Sequence, residues 1–301
     1  MTAKALQART IALAERELGV KAALFLCASL SVLAVFLIFA FIFSESLPAV
    51  TKLGFRNLFV SSRWSPNVSS PEAGHYGMLA FLVGTLLTTA GAMLIGAPLG
   101  IGTAVFIDQV APPRLGTVVR RGVELLAGIP SVVIGWFGLT LLVPFIRKAT
   151  GTSGYGMLAA SLVLVVMALP TITALSAETL RSLPVDLKEA SVAMGATRWQ
   201  SIFRVLMPAA RDGLIIAVIL GMGRAIGETM AVQMVIGNAR QLTFSPTQRT
   251  STLTSRIITD MGESTGIFRS ALFAQALVLL LLSMILILAI RAVSRRSRGE
   301  R

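Results

Sequence analysis

Five long runs without a charged side chain constrain this chain more than any other feature of its sequence. They comprise residues 22–44, 76–107, 125–146, 149–177 and 270–290, and each contains at least 21 residues. An α-helix rises 1.5 Å per residue, so about 20 apolar residues cross a bilayer core about 30 Å thick. All five runs therefore qualify as membrane spans.

A sixth apolar segment, residues 214–236, differs from the others because it contains Arg224 and Glu228. Its length and hydrophobicity are sufficient for a span. We therefore expect an all-α polytopic membrane protein with six transmembrane helices. The first span is residues 22–44, and the other five lie in a core that covers residues 76–290.

The distribution of basic residues predicts the orientation of these spans. The chain is 54% hydrophobic and only 14% charged, yet its formal net charge is +13. In a soluble chain such an excess would suggest nucleic acid, whereas in a membrane protein Lys and Arg collect in cytoplasmic loops. Seventeen of the 27 basic residues fall on one side, in residues 1–21, 108–124, 178–213 and 291–301. Both termini are thus expected in the cytoplasm, residues 45–75 outside, and no nucleic acid as a partner.

The residue inventory excludes most catalytic chemistry. Cys27 is the only cysteine and His75 the only histidine, so no disulfide within the chain and no Cys/His metal site is expected. The sequence lacks a G-x-x-x-x-G-K-[ST] phosphate-binding loop and an H-E-x-x-H motif, and no nucleophile elbow is expected. The chain is therefore not expected to be an enzyme. Energy for uphill transport would come from an ion gradient or from another subunit.

The predicted cytoplasmic loop 178–213 is too long for a minimal connection. Pro184 can start a helix over 185–194, Gly195 can end it, and a second helix over 197–206 is expected to stop before Pro208. This pattern predicts a helix-turn-helix elbow beside the membrane. By its shape alone, the elbow could equally be an amphipathic hairpin in the membrane interface.

The residues of this loop carry a family resemblance. Their spacing resembles the pattern E-A-A-x3-G-x9-I-x-L-P, the EAA loop of ABC-importer permeases, with small or volume-preserving substitutions. The matching residues are Glu189, Ala190, Ser191, Gly195, Val205, Met207 and Pro208. In that family the loop docks into a cleft of the ATPase subunit. The resemblance thus implies that Glu189 is a polar anchor, Gly195 the turn, and Ala190, Ser191 and Pro208 part of the coupling surface.

The two charges of the segment 214–236 suit an oxyanion. Arg224 lies about 15 Å past Leu214, near the middle of a bilayer core. On a continuous helix Glu228, four residues later, would share its face. A guanidinium presents forked donors that match a tetrahedral oxyanion, and a carboxylate could accept a hydrogen bond from protonated phosphate. The alternative is a structural ion pair that locks helices together.

Two segments narrow the resemblance to one type of permease. Residues 220–238, LGMGRAIGETMAVQMVIGN, resemble the fifth-helix signature of PstC-type permeases of bacterial phosphate-specific ABC transporters. Residues 124–139, ELLAGIPSVVIGWFGL, resemble the third-helix signature of the same permeases and contain Ser131. The resemblance implies that Arg224 and Glu228 serve phosphate passage, and Ser131 is a further candidate for the path. The short connection at 147–155 departs from some relatives.

The family resemblance also implies the remaining expectations. The fold would be the type I ABC-importer (MetI-like) permease fold in a bacterial cytoplasmic (inner) membrane. The partners would be a second permease, two copies of an ATPase, an external phosphate-binding protein, inorganic phosphate and membrane lipid. This chain would bind no cofactor, because ATP would be bound by the ATPase subunits.

Three alternatives to a phosphate permease remain. A permease for another oxyanion, such as sulfate or molybdate, would not need the Arg224/Glu228 pair. A self-powered secondary anion transporter would be expected to contain internal repeats, and none is visible. A membrane-embedded enzyme would need a nucleophile or metal set that the sequence lacks. The tail 1–21 suits both an interfacial amphipathic helix and a solvated leader helix.

Overall fold

The computed structural model describes the backbone of residues 3–67 and 69–299 and the side chains of residues 20, 21, 23–67 and 69–294. The described chain is predominantly helical. The elements of its first half are α1 (Ala3–Leu53), α2 (Phe55–Phe59), β1 (Trp64–Ser65), β2 (His75–Tyr76), α3 (Leu79–Val105), α4 (Pro113–Gly128), α5 (Ser131–Phe137) and α6 (Val143–Thr150).

The named elements of the second half of the described chain are all helices, and residues 237–252 form a loop between two of them. These helices are α7 (Met157–Arg181), α8 (Val185–Ala193), α9 (Arg198–Gln200), α10 (Met207–Ala209), α11 (Arg211–Gly227), α12 (Met230–Ile236), α13 (Leu253–Asp260) and α14 (Gly266–Gly299). π-Helical turns follow α3 at Phe106–Val110, join α5 to α6 at Gly138–Leu142, and join α9 to α10 at Ser201–Leu206. Short 3-10 turns lie at Pro71–Ala73 and Met261–Glu263.

Within the described residues, five helical segments are long and apolar enough to cross a membrane. They are Ala23–Leu53, Leu79–Val110, Ser131–Thr150, Met157–Arg181 and Gly266–Ser294. A sixth is counted if Arg198–Ala209 and Arg211–Gly227, which meet at a bend of 71°, are taken as one span. The all-α, multi-span prediction is confirmed, and the two sides of the membrane are not distinguished by the fold.

Several predicted boundaries differ from the structure. The first helix runs past residue 44 to Leu53, and it is continuous with the leader from Ala3; the amphipathic pattern predicted for residues 1–21 rests mainly on side chains outside the described set. The predicted third span, 125–146, begins instead at Ser131, because extended backbone at Ile129 and Pro130 separates it from α4. A charge-free window cannot detect such a break.

The predicted fourth span, 149–177, begins only at Met157. Residues 151–156 form a turn in which Gly151, Gly154 and Gly156 all have positive φ. At Gly154 an added Cβ would lie 2.1 Å from the carbonyl oxygen of Val143, so the turn folds tightly back on α6. Because these conformations favour glycine, the turn ends α6 in spite of its apolar surroundings.

Close packing of α3 along α7 forms the centre of the molecule. Small residues allow this approach: a Cβ on Gly100 would lie 2.7 Å from Ile172, and Ala92, Ala160 and Ala168 are fully buried. Two hydroxyl groups of α7 donate across the interface, from Ser161 to the carbonyl of Thr88 (3.0 Å) and from Thr173 to that of Gly100 (3.2 Å). Small residues and interhelical hydrogen bonds are the usual basis of helix association in lipid.

Candidate functional site

The helix that carries Arg224 is broken at Glu228. α11 ends at Gly227, Glu228 has extended backbone (φ −72°, ψ 127°), and α12 starts at Met230. The expectation that Arg224 and Glu228 share a face of one continuous helix is therefore wrong. The break is stabilised locally, because the Glu228 carboxylate accepts from the backbone N–H of Ala231 (3.4 Å) and its carbonyl accepts from the Thr254 hydroxyl (3.2 Å).

Arg224 does not pair with Glu228. The ion pairs among the described side chains are Lys52–Glu72, Arg181–Asp108, Arg240–Asp260 and Arg256–Asp260. Instead, Nε of Arg224 donates to the carbonyl of Met167 in α7 at 3.1 Å, and the residue is exposed on the surface of this chain. The alternative of an ion pair that locks helices through these two residues is thus not what the structure contains.

Ser131 and Glu228 lie at the same end of two parallel helices. A Cβ on Gly135 of α5 would lie 2.8 Å from Cα of Ala231 in α12, and one on Gly138 would lie 2.9 Å from Val235. The contacts advance in the same direction along both segments, so α5 and α12 run side by side. The break before Ser131 and the break at Glu228 therefore lie at the same height along the two helices. Interrupted helices that meet in this way are typical of transport sites in membrane proteins.

The predicted elbow is present, with Gly195 at its turn. Gly195 has φ +81°, and the Thr197 side chain caps the next helix through the N–H of Gln200. The Ser191 and Ser201 hydroxyl groups, 2.7 Å apart, join the two arms of the elbow. The exposed residues Glu189 and Ala190 lie on α8.

The second arm of the elbow does not stop before Pro208, as the sequence predicted. It continues through Pro208 to Ala209, preceded by the π-helical turn Ser201–Leu206. A proline lacks the N–H of a regular α-helical bond, and a π-turn accommodates that loss. The bend follows at Ala210, where α11 begins.

Sequence reasoning missed the apolar tip of the elbow. Met194 is 88% exposed, Trp199 56% and Phe203 57%, and the rings of Trp199 and Phe203 stack with centroids 5.9 Å apart. We call Val192, Met194, Trp199 and Phe203 the elbow tip. The spacing of Trp199 and Phe203, four residues apart in a loop predicted to face water, was the signal that could have revealed it.

A set of polar contacts, also not predicted, fastens the elbow to the ends of α3 and α7. Asp108 accepts from Nε of Arg181 (2.8 Å) and from the side-chain amide of Gln109 (2.7 Å). Gln109 in turn accepts from Nζ of Lys188 (3.0 Å), and Arg198 donates to the carbonyls of Gln109 and Val110. We call Asp108, Gln109, Arg181, Lys188 and Arg198 the elbow clasp. Its partners are too distant in sequence for any local pattern to reveal them.

A buried charge lies at the opposite end of the molecule. Arg256 is only 2% exposed and donates to Asp260 (3.1 Å), to the carbonyl of Asn238 (2.7 Å) and to Ser251 (2.8 Å). Trp64 of the small hairpin donates to the same Asp260 at 2.8 Å. Burial lowers the pKa of Arg256, and the neighbouring Asp260 opposes that shift. The sequence counted Arg256 merely as an external loop charge.

The long apolar helices, broken segments and elbow together define a permease of the ABC-importer type. Solved structures share this fold. The alginate ABC transporter in complex with an alginate pentasaccharide-bound periplasmic protein matches with a TM-score of 0.64 at 16% identity, covering 91% of this chain and 94% of that chain. The inward-facing MetNI methionine ABC transporter matches with a TM-score of 0.54 at 25% identity, covering 72% of this chain and 94% of that chain.

Residues 96–299 match the family model for the inner membrane component of binding-protein-dependent transport systems. The chain belongs to this family. The probable ABC transporter permease protein YqgH of Bacillus subtilis is 49% identical over 79% of this chain and 77% of that protein. The phosphate transport system permease protein PstC of Xylella fastidiosa is 36% identical over 81% of this chain and 80% of that protein. The phosphate transport system permease protein PstC 1 of Mycobacterium tuberculosis is 33% identical over 84% of this chain and 85% of that protein.

Proposed function

We propose that this chain is one membrane subunit of an ATP-driven importer of inorganic phosphate. The observation that carries the proposal is Arg224, an exposed arginine on α11. It lies four residues before the break at Glu228, which is at the same height in the molecule as the break before Ser131. The names of relatives from Xylella fastidiosa and Mycobacterium tuberculosis, phosphate transport permeases, support the choice of substrate.

The exposure of Arg224 supports a path between two subunits. An arginine that faces lipid in the middle of a bilayer costs at least about 2.5–3.5 kcal/mol, so such residues normally face protein or a water-filled cavity. Arg224 is exposed in the single chain, so a second permease would have to cover it and enclose the path. Arg224 would bind phosphate through its terminal nitrogens, and Glu228 would accept a hydrogen bond from a protonated phosphate oxygen. Ser131 would lie beside them.

The elbow supports coupling to an ATPase. Its apolar tip carries Trp199 and Phe203 in a segment outside the long apolar helices. Large exposed apolar side chains on a polar segment mark interaction sites. An ATPase cleft would cover the tip, with Glu189 at its edge. Two ATPase copies would bind ATP, whereas this chain would bind no cofactor.

The remaining features of the proposal follow from this assembly. The elbow and both termini would lie in the cytoplasm of a bacterium, and the turn 151–156 on the outer face of its inner membrane. An external binding protein would deliver phosphate there.

The substitution Arg224→Gln tests the path. We expect it to reduce phosphate uptake by at least about 100-fold, because an uncharged amide cannot replace a charge-assisted bidentate contact. Uptake of radiolabelled phosphate is measured in cells that express the complex, with assembly checked by co-purification of the ATPase.

The matched control is Arg269→Gln, which removes an exposed arginine that stacks on Phe273 and lies on α14. Normal uptake by the Arg224→Gln complex would refute the path. If sulfate or molybdate, and not phosphate, stimulates ATP hydrolysis by the wild-type complex, another oxyanion is the substrate. Uptake that persists without the ATPase would indicate a secondary transporter.

A further inference from the structure

Three basic residues gather at the end of the molecule opposite the elbow. Arg147 and Lys148 lie in the last turn of α6, and Arg249 lies in the loop between α12 and α13. α7 separates this end from the elbow by 25 residues, about 37 Å of helix. All three side chains are exposed.

Two of these arginines converge on one residue of the turn 151–156. Nε of Arg147 donates to the Ser153 carbonyl at 3.1 Å, and Nε of Arg249 donates to the Ser153 hydroxyl at 3.3 Å. The Arg249 guanidinium also lies over the Tyr155 ring, 5.5 Å from its centroid. Contacts through Nε leave the forked terminal nitrogens of both guanidinium groups available, and those are the donors that match an oxyanion.

The convergence of like charges is not neutralised within the described chain. No carboxylate among the described side chains pairs with Arg147, Lys148 or Arg249; the ion pairs involve other arginines and Lys52. The negative end of the α6 dipole favours cations in its last turn. That effect accounts for Arg147 and Lys148, but Arg249 comes from a segment more than 100 residues further along the chain. An anion would relieve the mutual repulsion of all three.

The backbone of the turn adds donors beside these charges. The N–H groups of Ser153 and Tyr155 have no acceptor within the described residues. Positive φ at Gly151, Gly154 and Gly156 fixes the turn. The intervening N–H of Gly154 donates to the Thr152 hydroxyl at 3.3 Å, so Ser153 and Tyr155 offer two separate backbone donors to an anion.

The cluster lies at the far end of the helices that carry the candidate path. The Arg249 side chain packs on Gly237, where a Cβ would lie 2.7 Å from its Cγ, and Gly237 ends α12. The N–H of Gly156 donates to the carbonyl of Val235 in the same helix at 3.1 Å. The break at Glu228 precedes α12, a helix of seven residues, so about 10 Å of helix separates the cluster from the break.

We propose that Arg147, Arg249 and the turn 151–156 form a second oxyanion site, which receives inorganic phosphate at the outer mouth and passes it to Arg224. Lys148, which makes no hydrogen bond or ion pair with the described side chains, raises the local potential. The site concentrates the anion at the mouth, and its exposure keeps its affinity low enough for release. Delivery to Arg224 rests on the proposed function, whereas the binding of phosphate to the cluster does not.

The binding experiment uses the assembled complex, purified in detergent with anionic lipid removed, in an Arg224→Gln background that eliminates the candidate path site. Equilibrium dialysis with radiolabelled inorganic phosphate measures the affinity. We expect Arg147→Gln combined with Arg249→Gln to weaken binding by at least about ten-fold, and the dependence of affinity on ionic strength to fall, because exposed charges are screened by salt. Arg269→Gln, which also removes an exposed arginine over an aromatic ring, serves as the matched control.

Two further variants keep the test decisive if the double variant does not assemble. Arg249→Lys retains the charge but loses the forked donors, so it should retain more of the binding than Arg249→Gln alone. In the complex with wild-type Arg224, the double variant should lower uptake at limiting phosphate but leave the maximal rate unchanged.

Several results would overturn the proposal. One is phosphate affinity in the double variant equal to that of the Arg269→Gln control. Another is that the double variant, when purified without the lipid-removal step, loses co-purifying anionic lipid while its phosphate binding is unchanged, which would identify a lipid headgroup as the ligand. A third is loss of the binding protein alone, which would identify a protein surface. Normal uptake by Arg224→Gln would refute the proposed path and would leave phosphate binding at the outer cluster intact.

Discussion

At the scale of single residues, the charges of this permease have sharply different environments. Arg224 is exposed and bonded to one carbonyl, whereas Arg256 is buried and surrounded by acceptors. Burying a charge is costly unless it is paired and hydrogen-bonded, so the contacts of Arg256 are needed for the fold itself. Arg224 has no such structural set of partners, which is consistent with a role toward a ligand.

The substitution Asp260→Asn tests the structural role of the buried pair. It leaves the Arg256 charge without its counter-ion and should destabilise the subunit by about 3–5 kcal/mol. The loss is measured as a lower thermal midpoint of the purified complex. Arg240→Gln is the control, because Arg240 reaches Asp260 only at 3.8 Å and is half exposed, so its removal should cost at most about 1 kcal/mol. Equal losses in both variants would contradict this distinction.

At the scale of elements, breaks in helices matter more than their lengths. The helix is interrupted between α11 and α12 at Glu228, and between α4 and α5 at Ile129 and Pro130. The packing of α5 on α12 places these two breaks at the same height along the helices. A backbone that leaves the helix exposes polar groups, which membrane proteins tolerate where protein or a water-filled cavity satisfies them. The two breaks therefore support the position of the path.

The turn of the elbow gives a second prediction at this scale. Gly195 has φ +81°, yet a Cβ there would meet no atom within 4 Å. Gly195→Ala should thus cost only the backbone strain, about 1–2 kcal/mol, and the complex should still assemble. We expect less phosphate imported per ATP hydrolysed, because the strained turn displaces the elbow tip.

Gly195→Asn separates backbone strain from loss of the glycine. Asparagine adopts the left-handed conformation more readily than alanine, so coupling in this variant should stay close to that of the wild type. Uptake and ATP hydrolysis are measured together in reconstituted vesicles. If alanine and asparagine impair coupling equally, the conformation of the turn is not the cause.

At the scale of the whole molecule, the elbow is connected to the membrane helices by two routes. One is covalent, through the 71° bend into α11. The other is the elbow clasp, in which Asp108 and Gln109 join α8 to the ends of α3 and α7. Since α3 and α7 pack tightly on each other, a displacement of the elbow tip would reach the centre of the permease as a rigid-body motion.

The clasp can be tested without touching the elbow tip. Asp108→Asn removes the ion pair with Arg181, and Arg198→Ala removes the contacts with the carbonyls of Gln109 and Val110. The Asp108 side chain is only 10% exposed, but the arginines that contact the clasp acceptors are exposed. Each contact therefore contributes about 1 kcal/mol, and the double variant should assemble with the ATPase. We expect ATP hydrolysis to continue while phosphate uptake falls by several-fold.

Arg204→Ala serves as the control for the clasp, because Arg204 is a basic residue of the same elbow outside it. Hydrolysis and uptake that fall in parallel in the clasp variant would indicate lost docking and not lost transmission. Unchanged uptake would show that the bend alone transmits the motion.

The sequence by itself determined the class of this protein. Hydrophobicity is a sum over neighbouring residues, so the spans and the charged segment 214–236 were evident without a structure. The spacing of the EAA loop and the turn at Gly195 were evident because they depend on residues that are close together in the sequence. Windows without charge missed where helices begin, because Pro130 and the glycines of 151–156 end helices through backbone geometry.

Only the tertiary structure decided which side chains meet. It separated Glu228 from Arg224, buried Arg256 against Asp260, and brought Arg147 and Arg249 to the same serine. These contacts depend on packing between segments that are distant along the chain. Sequence periodicity and spacing describe only neighbouring residues, so they could not predict such contacts. The charge count assigned Arg147, Lys148 and Arg249 only to the side with fewer basic residues, and the packing of α6, α7 and α12 made two of them neighbours.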